Sequence, residues 1–229
     1  MDRIVLTDHE ITVEVLLLKA ERPTRLILFA VGSGGNPERH IPLLNVLVEN
    51  GCTVIAPYFE RLSSPTPNAS DLALRARRLQ IALDQFGDPN LPVVAIGHSI
   101  GATLLLAMAG GQVSMLAGEH LLINFEKRIS KLVLFAPPTG FFQAPKSLSA
   151  IQTPIQAWAG TRDTITPTSQ IEFLRDHLSS QVSIDLRTVE GAGHFSFMNT
   201  LPPQVNDSMV NRDEFLETLS LDVCRFTIA

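Results

Sequence analysis

The sequence predicts an α/β fold, a mostly parallel central sheet with helices on both faces. Strand-like and helix-like segments alternate along the whole chain, the pattern of strands joined by crossover helices. Several strand-like runs, such as Val93-Val94-Ala95-Ile96, are continuously apolar, as strands buried on both faces are. The 229 residues, 45% of them apolar, suffice for one large core. No repeat or linker divides them, so a single domain over residues 1–229 is expected.

Two runs rich in Val, Ile and Leu come first, at 11–18 and 25–30, joined by the turn Glu21-Arg22-Pro23-Thr24. They are expected to pair as antiparallel neighbours. The glycine-rich stretch Val31-Gly32-Ser33-Gly34-Gly35-Asn36 reads as a loop. A helix over 38–50 follows, with Ile41, Leu44, Leu47 and Val48 at helical spacing and Gly51 at the C-terminal capping position. Residues 53–56 form a short strand ending at Pro57, and the Ser/Pro-rich residues 61–70 an exposed loop. Residues 71–86 read as an amphipathic helix capped by Ser70. Then come a strand at 91–96, a helix at 102–109, strands at 131–135 and 154–159, a helix at 168–178, a strand at 182–189 and a closing helix at 212–223.

Composition excludes several classes. Net charge is −5 and the isoelectric point about 5.7. Basic residues are scattered apart from Arg75-Ala76-Arg77-Arg78, which fits the solvated face of a helix, so no nucleic-acid partner is expected. Cys52 and Cys224 are the only cysteines, which fits a reducing compartment and excludes a disulfide scaffold. No metal-ligand spacing is present, so no metal and no cofactor are expected. The first residues turn acidic too early for a signal peptide, and no apolar stretch approaches a membrane span. A cytoplasmic location without membrane partners is the expectation. The sequence sets no oligomeric state.

The chemistry-bearing signal is Gly97-His98-Ser99-Ile100-Gly101, between a buried strand and a buried helix. A serine between two glycines at a strand-to-helix junction is a nucleophile elbow. The turn is too tight for side chains at the glycines, and the helix places its positive end beneath the hydroxyl. A serine needs a base, and the base needs an orienting acid. Asp163 and His194 each follow a strand of their own, in the chain order this elbow requires. Asp88, Asp185 and Asp207 are rivals for the acid, with Asp88 preceding the serine strand and Asp185 inside a strand. Among the other histidines, His9 and His177 read as solvated and His120 lacks the required position. His98 points away from the hydroxyl inside the elbow, and His40, near the glycine-rich loop, is a candidate substrate contact.

On these residues the chain resembles the α/β-hydrolase superfamily, and within it the dienelactone hydrolase-like serine hydrolases. The resemblance rests on Gly-His-Ser-Ile-Gly at 97–101, Ala-Gly-Thr-Arg-Asp at 159–163, Gly-Ala-Gly-His at 191–194 and the glycine-rich loop, and it covers nearly the whole chain. It implies an α/β-hydrolase fold with a minimal lid, and a triad of Ser99 as nucleophile, His194 as general base and acid and Asp163 as orienting acid. The implied oxyanion donors are the backbone N–H groups of Ile100 and Ser33. Relatives usually carry His-Gly where this chain has Val31-Gly32, and dienelactone hydrolases proper carry cysteine at the elbow. The implied activity is therefore hydrolysis of a small-molecule carboxylic ester of small or medium size, not of dienelactone.

Lids in this fold often follow the sixth strand, where the chain offers only the short stretch 137–153. Phe141 and Phe142 in it, and Phe195 with Phe197 and Met198 after the histidine, are candidate walls of the substrate pocket; the apolar stretch 116–125 is a candidate cover. A thioesterase, an amide hydrolase, an acyltransferase or a cofactor-free perhydrolase would use the same triad. A non-catalytic binding protein on the same fold is the alternative from another class, although such proteins usually lose a triad member.

Overall fold

The computed structural model describes residues 1–64, 67–115 and 120–229. Two antiparallel strands open the chain, β1 (Asp2–Asp8) and β2 (Ile11–Leu18), followed by β3 (Arg25–Ala30). A 3₁₀ turn at Pro37–His40 runs into α1 (Ile41–Glu49), then β4 (Cys52–Pro57) and α2 (Ala69–Phe86). Next come β5 (Val93–His98), α3 (Ile100–Met108), a small ribbon of β6 (Val113–Ser114) with β7 (His120–Leu121), and β8 (Ile129–Phe135). The chain ends with β9 (Ile155–Gly160), α4 (Ser169–Leu178), β10 (Ile184–Val189) and α5 (Arg212–Ile228).

Eight strands form one sheet in the order β1-β2-β4-β3-β5-β8-β9-β10. All neighbours from β4 to β10 run parallel, while β1–β2 and β2–β4 are antiparallel. Every residue of β4, β5 and β9 is buried, as central strands covered on both faces must be. On the sheet α1 packs against α5, and α2 against α3. No helix among the described residues is long and apolar enough to cross a membrane.

Three expectations need correction. The strands β2 and β3 do not pair, because β3 uses one edge for β4 and the other for β5, and β2 joins the far side of β4. The residues before Asp8, read only for targeting, form β1, paired with β2 from Asp2↔Leu17 to Asp8↔Ile11. Its alternation, with Ile4 and Leu6 half-buried between exposed neighbours, is an edge-strand pattern. Helix α2 is capped by Asn68, not Ser70: the Asn68 side chain accepts from Asp71 N at 2.8 Å, and the helix starts one residue before Ser70. Gly51 does take the left-handed conformation after α1, with φ +81°. Helix α5 runs past residue 223 to Ile228, where Lys131 and Arg25 donate to the terminal carbonyls of Phe226 and Ile228.

Candidate active site

One residue separates β5 from α3, and it is Ser99. Its backbone lies at φ +53°, ψ −127°, a conformation that costs a non-glycine residue on the order of 1–3 kcal/mol unless its surroundings impose it. They do. Ser99 N donates to the Phe135 carbonyl at 2.9 Å, and the Ser99 carbonyl accepts from Ala102 N at 2.8 Å. A Cβ on Gly97 would stand 2.7 Å from Ala102 N, and one on Gly101 2.1 Å from the Ala30 carbonyl oxygen. Both glycines are therefore fixed by the approach of α3 to β5 and β3, as the sequence requires.

The loops after β9 and β10 are stitched together. Thr161 N donates to the Val189 carbonyl at 3.0 Å and Arg162 N to the Ala192 carbonyl at 2.9 Å, while Gly191 N donates to Thr161 Oγ1 at 2.9 Å. This brings Asp163 and His194 to the same rim of the sheet as Ser99. The His194 Nδ1 proton is shared with Asp163 Oδ2 at 2.9 Å, and Ser99 Oγ lies 2.9 Å from His194 Nε2. The side chains of His194 and Asp163 are 6% and 0% exposed. With Nδ1 protonated toward a carboxylate, Nε2 is the bare nitrogen and accepts from the serine hydroxyl.

Asp163 is held by more than the histidine. Its Oδ1 accepts from Ile165 N at 2.8 Å and Thr166 N at 2.7 Å, and its Oδ2 accepts from the Thr166 hydroxyl at 2.6 Å. Burial alone would raise its pKa, but the bonds from His194 and Thr166 outweigh burial and hold it below the usual carboxylate range. The Thr166 oxygen also lies 3.0 Å from His194 Nδ1, where it shares the proton. Sequence reasoning missed Thr166, although an aspartate in a turn bonds the backbone two residues on, which directs attention to the residues just after Asp163.

The rival acids have other partners: Asp88 binds Asn90, Asp185 binds Arg187 and Gln156, and Asp207 binds Arg212. Two rival histidines are buried beside the site. His98 Nε2 donates to the His194 carbonyl at 2.9 Å and so supports that histidine's backbone. Its pKa is pushed well down by burial, and next by His194 and His40. His40 is fully buried, against Phe29 at 4.9 Å and His98 at 5.6 Å between ring centres. Burial pushes its pKa down to about 3, outweighing the opposing effect of the Phe197 backbone. That corrects its sequence assignment: a ring with no solvent exposure is a neutral packing element, not a substrate contact. The side chain of His120 and residues 116–119 lie outside the described residues.

Ile100 is the first residue of α3, where a backbone N–H has no intrahelical acceptor. The glycine-rich loop passes close to the serine, and a Cβ on Gly32 would lie 3.2 Å from Ser99 Cβ. Ser33 follows, exposed to solvent. Phe195 stands edge-on to the His194 ring, 5.1 Å away at 89°. Phe141 is half-buried and packs against the core. Phe142 is 1% exposed and abuts Gly111 beyond the C-terminus of α3. This excludes Phe142 as a pocket wall, because the chain after β8 turns into a 3₁₀ element that plugs the core. Phe197 is likewise buried, stacked on Phe135. A cleft of about 530 Å³ opens along the glycine-rich loop, bordered by Gly34, Asn36, Glu38, Tyr58, Glu60 and Arg78, with none of the five aromatic or methionine candidates on its walls.

This sheet order, elbow and flanking helices define an α/β-hydrolase fold. Solved structures resemble it over nearly their whole length. An α/β serine hydrolase homologue from Coxiella burnetii matches at TM-score 0.68 and 15% identity, covering 98% of this chain and 96% of its own. A thermophilic esterase from the planctomycete Thermogutta terrifontis matches at TM-score 0.67 and 16% identity, with 99% and 91% covered. Its butyrate-bound form gives TM-score 0.68 at 16% identity, with 99% and 92% covered. No family model matches the sequence, and no curated protein matches it.

Proposed function

We propose that this protein is a serine hydrolase acting on small or medium carboxylic esters through an acyl-enzyme on Ser99. The observation that carries the proposal is the unbroken buried chain from Ser99 Oγ through the His194 ring to Asp163, with 2.9 Å at each step. As His194 Nε2 takes the hydroxyl proton, Ser99 Oγ bonds to the ester carbonyl carbon and the carbonyl oxygen becomes an oxyanion. Collapse of that intermediate breaks the bond to the alkoxy oxygen, which leaves as the alcohol with the proton from His194. Water then attacks the acyl-serine, gives a proton to His194, and the second collapse returns that proton to Ser99 and releases the acid.

Asp163 stays ionised throughout, holding the tautomer in which Nε2 is the base and stabilising the imidazolium. The N–H groups of Ile100 and Ser33 are the oxyanion donors in this reading, typically about 3 kcal/mol each. The Thermogutta terrifontis esterase has been captured with butyrate and with propionate bound, and phosphonylated by cyclosarin. By analogy we expect short acyl groups and organophosphonate sensitivity here.

The experiment is fluorophosphonate labelling with peptide mass spectrometry. One label per chain, at Ser99 and absent in Ser99→Ala, supports the proposal, and ester, thioester and amide panels then define the leaving group. Folded wild-type protein that takes no label at Ser99 refutes it.

A further inference from the structure

Arg75 lies on α2, far from Ser99 in sequence, and is 3% exposed. A buried guanidinium is normally matched by a carboxylate. Among the described residues this one donates only to backbone: Nη1 to the Gly32 carbonyl at 3.0 Å, and Nη2 to the carbonyls of Ser33 at 3.1 Å and Glu60 at 2.6 Å. The Glu60 carboxylate is turned to Arg78 instead. The face of the Phe59 ring lies 4.9 Å from the guanidinium carbon. A buried cation thus ties two carbonyls of the loop that passes Ser99 to the chain after β4 at Glu60.

In a trans peptide the C=O and the following N–H point in opposite directions, and no peptide bond among the described residues is cis. Fixing the Gly32 carbonyl on Arg75 therefore turns the Ser33 N–H to the opposite side, and fixing the Ser33 carbonyl does the same for the Gly34 N–H. Leu62 N adds a second bond to the Ser33 carbonyl, at 3.0 Å. The chain is uncrowded at Gly34, where a Cβ would meet nothing within 4 Å. Two successive N–H groups facing one way form an anion-binding concavity. Gly32, Gly34 and Gly35 give the loop backbone freedom, which Arg75 restrains together with the bond from Gly35 N to the Gly32 carbonyl at 3.2 Å. A flipped Gly32–Ser33 peptide would present a carbonyl oxygen, not a donor, to an oxyanion.

We propose that Arg75 is the positioning residue of the oxyanion loop, holding the Ser33 and Gly34 N–H groups toward the oxygen that becomes negative on attack by Ser99. This rests on Ser99 being the nucleophile. The guanidinium acts through the peptides, locking their orientation and drawing electron density from their carbonyls, so that the N–H groups bind a developing anion more strongly than a neutral carbonyl oxygen.

The test compares wild type, Arg75→Lys, Arg75→Met and the exposed control Arg77→Met. The readouts are the rate of fluorophosphonate attachment to Ser99, kcat and KM for p-nitrophenyl butyrate, and circular dichroism to establish folding. Losing one oxyanion donor costs about 10²–10³ in rate, and Arg75→Met is expected to fall by about that factor in kcat and labelling rate, with KM within about threefold. Arg75→Lys keeps the charge with a shorter reach and falls between, and Arg77→Met matches wild type. A folded Arg75→Met with wild-type kcat and labelling rate overturns the proposal, as does a loss confined to KM or to thermal stability. If Arg75→Met does not fold, Arg75→Lys decides, and wild-type rates in it overturn the proposal. Wild-type protein without label at Ser99 defeats the nucleophile assignment, and the role given to Arg75 falls with it.

Discussion

Lowering the pH from 7 to 5 charges the histidines of the unfolded chain but leaves His40 neutral in the fold. Its ordinary value of 6.5 is pushed down to about 3, because desolvation penalises the charged ring. Between these two values the unfolded state holds one proton more than the native state. Stability therefore falls as pH falls, beginning near 6.5 and levelling off near 3. Integrated from pH 7 to pH 5, this one group removes about 2 kcal/mol, a large fraction of the stability of an ordinary domain. His98 works in the same direction. Asp163, held below the usual carboxylate range, loses its contribution only in a more acidic window. The assay is urea unfolding followed by far-ultraviolet circular dichroism at both pH values, on wild type and on His40→Phe, which keeps a ring against Phe29 and removes the titration. The wild type is expected to lose about 2 kcal/mol more than the variant across this interval. Equal losses would refute the argument, because His40 would then be as easily protonated in the fold as in the unfolded chain.

Two further predictions concern the elbow and the acid. Gly101→Ala places a methyl 2.1 Å from the Ala30 carbonyl oxygen, whereas Gly34→Ala meets nothing within 4 Å. Urea unfolding should show a loss of about 3 kcal/mol or more for the first and less than about 0.5 kcal/mol for the second, and similar losses would contradict the described packing. Asp163→Asn should fold and lose about 10⁴ in kcat, since its amide favours the wrong tautomer of His194. Thr166→Val, which deletes the 2.6 Å bond to the carboxylate, should cost only about tenfold in kcat. Wild-type kcat in Thr166→Val would mean that the backbone N–H groups of Ile165 and Thr166 orient Asp163 unaided.

The parts of this site legible in the sequence are those imposed by local geometry. Ser99 could be found because Gly97 and Gly101 are demanded within a few residues of it by the closeness of α3 to its own strand and to β3. Asp163 and His194 could be found because each follows an apolar strand, and parallel strands deliver their C-terminal loops to one rim. The strand β1 was legible too, in its alternation, but the second partner of β2 was not. Which edge of the sheet β2 joins is decided by competition among strands, and β4 and β5 had taken both edges of β3. Phe142 and His40 mislead for a related reason: an aromatic ring near the site in sequence can face the core or the cleft, and only packing decides.

Arg75 was least legible of all, read as part of a solvated basic face. Its neighbours Arg77 and Arg78 do pair with the carboxylates of Asp8 and Glu60. A helix that packs one side on a sheet must turn some of its positions inward, and at 75 the inward residue is charged. Such a charge is retained only where it can spend its donors, and the carbonyls of a loop rich in glycine provide acceptors without supplying rigidity of their own. The same contacts satisfy the guanidinium and fix the loop. In the role proposed for Arg75, the conformational freedom that lets the loop pass close to Ser99 is restrained from elsewhere in the fold by a buried cation, alongside the backbone bonds from Gly35 N and Leu62 N. The local sequence records only the first half of that relation.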